Sequence, residues 1–524
     1  MNKISHTIIL LCVLSLIGHS LKAQPGSKNF GKVWMQGQSL IYTTTFDSGK
    51  APLNQIAFLP QQWPPYITDG HSNICDASGN VILVSDGFNV YDKNLQYIED
   101  GHMLVPRWIY NFDDGCSKYS QASIILPFGN GKYRLVTPTV SDDTCYFNWV
   151  RGYHDARYDL LLYSEIDMTA NGGAGKVTKR MEPLLDFVRL SKCQMMACRH
   201  GDGKSWWLLK QAADTNMVYK FLFTEDKIYG PYVQGFSGDA AYMLGSDNWG
   251  QFMFSKDGTK YATTILRYGK VFVADFDRCT GNLSNPKVYD VPTLPSGNPF
   301  DPAEQDNTTT GVCFSPNGKY LYVCGYNNVQ QLDIQNSASS GAWTRLSGHD
   351  TTWEEFQRYS TIYPGPDDKL YIGNLDGFAG QMSVINTPDN KGVAADFCRK
   401  CLRFPGHISG TTFRFAGVAG PPCMPNYALG PTNPICYPLG VEAPVKTEVF
   451  QLYPNPASGS VTVKTNENGM LHIYDVTGSI AGSYDVASSS STAISIQQFP
   501  PGVYTYQFRS SSGITTTGKL VIKQ

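Results

Sequence analysis

The chain has 524 residues, a formal net charge of -2, 16% charged and 13% aromatic residues, with 31 Tyr, 50 Gly and 31 Pro. That length exceeds one ordinary core and predicts two or more domains. The balanced charge argues against a nucleic-acid surface and against a long charged interaction tail, and many Tyr among many turn formers predict short strands joined by tight turns.

Residues 1–23 have the layout of a secretory signal peptide. Lys3 supplies the positive start, Ile8 to Ile17 is nearly all apolar, and small and polar residues lead to Ala23. As a membrane anchor this run is too short, since a span needs ~20 apolar residues. No later segment has the length and apolarity to cross a bilayer.

Six hairpins follow, each read from a turn between alternating β-formers. They turn at Ser78-Gly79, Asn130-Gly131, Asp202-Gly203, Asp257-Gly258, Asn317-Gly318 and Asp367-Asp368. The clearest is Gly311 to Asp333, where Asn317-Gly318 joins two strands and Asn327-Asn328 leads to a third. The turns recur every ~50–70 residues, near the ~40–50 residues of a four-stranded propeller blade. A first strand within Lys32 to Phe46 and another at Thr411 to Phe415 remain over. Joined in one composite blade they would make seven and remove the exposed sheet edge. The competing architecture, an extended array of β-sandwiches, would place turn signals every ~8–12 residues without one longer period.

Residues 417–447 are Pro-rich and read as a linker or a strap at the propeller's edge. Glu448 to Gln524 carries seven short strands: Phe450 to Leu452, Ser460 to Lys464, Met470 to Asp475, Ile480 to Asp485, Ala493 to Gln497, Val503 to Arg509 and Gly518 to Ile522. That density suits a small Ig-like β-sandwich. The expected fold is all-β: signal peptide 1–23, β-propeller 24–416, strap 417–447 and β-sandwich 448–524.

This last stretch resembles the type A C-terminal sorting domain of the type IX secretion system. The match runs in order through Pro454-Asn455-Pro456, the strand Ser460 to Val463, the Asp475 and Gly478 of Ile473 to Gly478, the Gly502 and Tyr504 of Pro501 to Tyr504, and the closing Gly518-Lys519. The resemblance implies export across both membranes of a Gram-negative-type envelope. Cleavage of the tail and surface attachment or release would follow, with the type IX machinery as partner. Segments such as Gly311 to Val323 also resemble large secreted propellers that carry this tail, which adds no activity.

The 13 Cys include Cys12, whose loss with the signal leaves an even number, as disulfides in an exported chain require. Near neighbours suggest Cys193 with Cys198, Cys313 with Cys324, Cys398 with Cys401, and Cys423 with Cys436. Cys398 and Cys401 also have the spacing of a redox or zinc half-site. The strand-to-helix context of the first and the second pair of ligands for the other are missing, so neither metal nor cofactor is expected.

His200 beside Asp202 has the makings of an acid–base pair, but Asp202-Gly203 reads better as a hairpin turn and Trp206 and Trp207 as packing between blades. Acidic groups at Asp113-Asp114, Asp142-Asp143, Asp301, Glu304, Asp306 and Glu354-Glu355 read as solvated loop charges, since glycoside hydrolysis needs two carboxylates held ~5–10 Å apart. Asn171 to Lys176 only brushes a phosphate-loop pattern. The expected role is non-catalytic binding or adhesion to a glycan, peptide or surface protein through loop aromatics: Trp108, Tyr110, Trp149, Tyr153, Trp249 and Trp353. The alternative is a polysaccharide-active hydrolase or lyase on the same scaffold.

Overall fold

The structure is a computed structural model. It describes residues 28–523 except 38–39, 59–66, 68, 151–156, 214, 239–249, 266–268, 296–304, 307, 337–341, 348–357, 376–379, 405, 410–411, 415–419, 437–449, 466, 489–490 and 511–514. The signal-peptide segment lies outside these.

Among the described residues, seven antiparallel sheets of three or four strands make the body. Sheet 1 is Val33–Gln36, Ile41–Thr45 and Leu53–Phe58; sheet 2 is Ser72–Cys75, Val81–Ser85 and Val90–Tyr91. Sheets 3 to 7 are four-stranded meanders beginning at Ile124–Pro127, Leu190–Arg199, Phe252–Phe254, Gly311–Phe314 and Tyr359–Pro364. The six predicted hairpins are the first two strands of sheets 2 to 7. In each, alternation and a turn former do the local work: Asn317 Oδ1 accepts the Lys319 amide at 2.9 Å, and Gly318 takes φ 70°, which a side chain resists.

Neighbouring sheets touch through their first strands, Ser72–Cys75 on Ile124–Pro127, Leu190–Arg199 on Phe252–Phe254, Phe252–Phe254 on Gly311–Phe314 and Gly311–Phe314 on Tyr359–Pro364, and Leu190–Arg199 reaches sheet 3 through its second strand, Lys132–Thr139. Sheet 1 closes the ring. It contacts sheet 2, and its Trp34 and Tyr42 pack with Tyr371 and Met382 of sheet 7. The molecule is therefore a seven-bladed β-propeller followed by a β-sandwich, and the array of sandwiches is ruled out for the body. Fourth strands such as Lys176–Asp186 and Ile228–Gly235 escaped the sequence reading because their half-exposed patterns lack clean alternation. Two short helices, Arg107–Phe112 and Asp142–Val150, lie in loops of the second and third sheets.

Two expectations are corrected. The strand Thr412–Arg414 pairs with His407–Ser409 in a separate ribbon and not with sheet 1. The segment that reaches sheet 1 from the C-terminal side is Gly420–Cys423, where Gln36 Nε2 donates to the Gly420 carbonyl at 2.8 Å. The disulfide pattern also differs. Cys436 bonds Cys279 rather than Cys423, Cys398 bonds Cys401, and Cys193, Cys198, Cys313, Cys324 and Cys423 are buried free thiols. Cys193 and Cys198 share one extended strand, which holds them roughly 15 Å apart, beyond the ~7 Å Cα limit of a bridge. Cys313 faces Tyr322 in the ladder, and Cys324 faces Gly311, so those two thiols are not opposed.

The C-terminal domain has all seven predicted strands, in two sheets around a core that includes Val461, Leu471, Ile473, Phe508 and Leu520. Its motif residues hold it shut. Asn455 accepts from the Val521 amide at 2.9 Å and donates to the Lys519 carbonyl. Asp475 takes the Thr477 and Ser479 amides, and the Tyr504 hydroxyl donates to the Pro500 carbonyl.

Candidate functional site

An up-and-down meander brings the starts of all first strands and the ends of all second strands to one face of the ring. The hairpin turns lie on the other. On the strand-start face a small pocket of about 30 Å³, open to solvent, sits at the channel mouth. Its lining comes from five sheets and follows that rule. Asp69, Ser120, Gly250 and Thr310 precede first strands, Ser360 and Thr361 begin one, and Tyr326 and Leu375 follow second strands; Lys118 sits at the rim.

Below the mouth the channel is sealed by side-chain amides that pair with inner-strand backbone. Gln121 exchanges two hydrogen bonds with Phe252, at 2.7 and 2.8 Å. Gln251 accepts from the Val312 and Ile362 amides and donates to the Ile362 carbonyl. Gln194 donates to the Thr264 carbonyl. Buried amides of this kind satisfy backbone groups that water would otherwise have to reach.

The Pro-rich segment completes the seal and runs alongside the first strands. Gly420 lies by Asp69 and Thr361 near the mouth, and the Cys423 amide donates to the His71 carbonyl at 2.9 Å. Further on, the Tyr427 hydroxyl donates to the Ile125 carbonyl at 2.7 Å, and the Tyr427 ring packs edge-on to Trp206. Leu429 and Pro431 meet Gly258 and Gly203 at the hairpin turns, where there is no room for a Cβ. The Thr432 amide donates to the Gly201 carbonyl, and Cys436 ends the run on Cys279.

Burial sets the electrostatics. It pushes the Asp69 carboxyl up to about 7 and pulls the Lys210 ammonium down to about 7. Lys210 is fully buried in the second strand of sheet 4, and its ammonium donates to the Cys193 carbonyl. Asp86 and Asp113 are each raised to about 6, again by burial. Asp69 Oδ1 and Ser360 Oγ are both buried, and among the described residues neither has a hydrogen-bond partner.

The aromatic residues singled out from sequence do not gather here. Trp108 is exposed on the helix Arg107–Phe112, tilted against Tyr146 at 5.4 Å, and its amide donates to Asp142. Tyr110, on the same helix, has its hydroxyl 3.0 Å from His102 Nε2. Neither lines the pocket. Trp149 lies on the second helix with its side chain outside the described residues, as are Tyr153, Trp249 and Trp353 entirely. The pocket's own residues were missed because they are small and polar. Their one signal is position, immediately ahead of each repeating hairpin. His200 and Asp202 are turn residues: the Asp202 carboxylate accepts from Ser205 and from two backbone amides, and His200 Nε2 lies 3.1 Å from the Cys279 carbonyl. Trp206 and Trp207 donate to carbonyls of the sheets on either side, Pro127 and Arg278.

Residues 451–523 match the family described as "Secretion system C-terminal sorting domain". No curated protein matches the chain. Among solved structures it is similar to a Bacteroides fragilis NCTC 9343 protein named as a candidate 6-phosphogluconolactonase, at 12% identity and TM-score 0.39, covering 75% of this chain and 96% of that one. It is also similar to the Pseudomonas aeruginosa periplasmic gluconolactonase PpgL, at 13% identity and TM-score 0.37, covering 74% and 99%. A third is Kluyveromyces lactis Hsv2, at 9% identity and TM-score 0.32, covering 68% and 90%. Likeness at this level carries no activity from those proteins to this one. Among the described residues no helix is long and apolar enough to cross a membrane. The chain thus ends in a type IX secretion system C-terminal sorting domain, which marks it as an exported protein of the cell surface or the medium.

Proposed function

We propose that the protein is a secreted binding module: residues 1–23 direct export and are removed, the sorting domain completes secretion, and the propeller presents its strand-start mouth to a glycan. The observation that carries this reading is the mouth pocket, a small solvent-open cleft lined mostly by hydroxyl side chains with one carboxylate and with Lys118 at its rim. A concave site with few convergent polar groups is the usual form of a ligand site. The Cys279–Cys436 bridge suits an oxidising destination. We also place the end of the propeller's folding unit at Cys436 rather than residue 416, since Cys423 and Tyr427 bond the sheets' first strands and their approaches and Cys436 is bridged to Cys279.

A glycan array probed with the secreted chain, run beside a hydrolysis screen on the same polysaccharides, tests this. Retention without cleavage is expected. Cleavage products would favour a hydrolase or lyase, for which the specific support is that Asp69 titrates near neutrality, as a general acid or base must. Neither retention nor cleavage would sink both readings and leave adhesion to an envelope protein.

A further inference from the structure

We propose that the Cys398–Cys401 disulfide is a thiol–disulfide exchange site for the thiols of small peptides and of proteins. It lies apart from the mouth and does not rest on the glycan reading. Both cysteines sit on Phe397–Arg403, the fourth and outermost strand of sheet 7, the part of a blade nearest a protein-sized partner. Cys401 is exposed and Cys398 half-buried, whereas the free thiols of the propeller are all buried.

The bond does little for the fold. It joins residues only three apart, against 157 for Cys279–Cys436. So short a ring removes little entropy from the unfolded chain. The strand is held by its neighbour instead. Phe397 and Cys398 pair with Ile385 and Val384, and Leu402 and Arg403 pair with Met382 and Gln381. Between these pairs Ser383 alone faces Arg399, Lys400 and Cys401, a β-bulge in which Lys400 takes φ 57° and its amide donates to Ser383 Oγ at 3.2 Å. With the ladder intact on both sides, the sulfur–sulfur bond opens and closes while the blade stays folded. Exposed disulfides of this kind are the labile ones. Arg399 and Lys400 stand between the two sulfurs and favour a thiolate, the part a helix N-terminus plays in a strand-to-helix redox motif.

Exchange begins at Cys401, the more exposed sulfur. A substrate thiolate attacks Cys401 Sγ. Its sulfur bonds to Cys401 as the Cys398–Cys401 bond breaks, and the electron pair leaves on Cys398, whose thiolate takes a proton from water. A second substrate thiolate attacks the substrate sulfur of this mixed disulfide and releases Cys401, which is protonated in turn. Two substrate thiols become one disulfide, and Cys398–Cys401 becomes two thiols, one equivalent per chain. A dithiol supplies both thiolates from one molecule.

The test uses the full secreted chain in its oxidised form, with reduced glutathione and a reduced CxxC dithiol protein as separate probes. Timed samples are quenched with isotope-coded iodoacetamide, and each cysteine peptide is read by mass spectrometry. Cys398–Cys401 should open roughly 10-fold or more faster than Cys279–Cys436 with at least one probe. Opening by glutathione alone assigns small thiols as the substrate, and opening by the dithiol alone assigns proteins. The variant Cys398→Ser/Cys401→Ser should melt at the wild-type temperature. With oxidised glutathione, Cys398→Ser should be modified at Cys401 roughly 10-fold faster than Cys401→Ser at Cys398, following exposure. The proposal is overturned if neither probe opens Cys398–Cys401 faster than Cys279–Cys436, or if the double variant melts as low as Cys279→Ser/Cys436→Ser. Equal modification of the two single variants would overturn Cys401 as the point of attack.

Discussion

Asp69 and Lys210 are ionisable side chains placed where charge is disfavoured, and their titrations make opposite predictions. The folded Asp69 carboxyl titrates near 7 against an ordinary value of 3.8. Below ~4 both folded and unfolded chains hold the proton and there is no penalty. As pH rises toward 7 the unfolded carboxyl ionises first, so stability falls and then levels off. Asp69→Asn should therefore raise Tm relative to wild type at pH 8, with the gap closing by pH 4; thermal melts across that range check it. Asp86 and Asp113 shift in the same sense, so the quantity to follow is the difference between variant and wild type. Lys210 is the reverse case, lowered from 10.5 to about 7. Its buried charge costs most below pH 7 and nothing above ~10.5. Lys210→Met should show its most favourable Tm difference below pH 7, shrinking as pH rises to 10; a constant difference would count against a buried, titrating ammonium. At this scale the turn residues were legible and the pocket was not. Asp202 and Asn317 announce themselves because their side chains bond backbone amides two residues on, a purely local event. Asp69 and Ser360 line one pocket only because sheets 2 and 7 are both neighbours of sheet 1, which no local pattern records.

The strap is the element whose place the sequence left open. Rich in Pro and without periodicity, residues 417–447 read either as a linker or as a strap at the propeller's edge. In the fold Gly420, Cys423 and Tyr427 are buried, and the run from Gly420 to Cys436 follows the first strands from mouth to hairpin turns. Its irregular backbone is satisfied by borrowed partners: the His71 and Gly201 carbonyls accept from the Cys423 and Thr432 amides, and the Arg199 and Arg278 guanidinium groups donate to the Tyr427 and Gly430 carbonyls. The Cys279–Cys436 bridge spans 157 residues. On the chain-entropy account, closing a loop of that length is worth up to about 5 kcal/mol. The double variant Cys279→Ser/Cys436→Ser should unfold at lower temperature than wild type, and reductant should lower the wild-type Tm while leaving the double variant nearly unmoved. The nearest-cysteine guess of Cys423 with Cys436 failed for a tertiary reason: Cys423 is held in the channel beside His71, whereas Cys436 has travelled to the outer turn of sheet 5.

At the scale of the molecule, the ring closes without a strand-paired composite blade. Sheet 1 is wedged between sheets 7 and 2 by aromatic packing, with Trp34 4.5 Å from Phe46 and 5.1 Å from Tyr371, and the strap fills the axis. The sorting domain has its own core and its own sheets, so the propeller should fold without it. Deleting residues 448–524 should leave a folded propeller trapped on the inner side of the outer membrane. Cell fractionation and immunoblotting check this, and a truncated chain that still reached the surface would refute the role given to the tail.

Repeat period, the hairpin strands, turn chemistry and the sorting domain were all set by the sequence alone, because each depends on contacts between residues near one another in the chain. Six hairpins and seven sandwich strands could be read from alternation and turn formers. Which thiols bond, what seals the channel and which side chains share the mouth were decided only by the tertiary structure. Those depend on closing a ring of about 400 residues. Closure sets Asp69 and Ser360 in one pocket and brings Cys279 to Cys436, and nothing within a single repeat fixes where a ring of such repeats will meet.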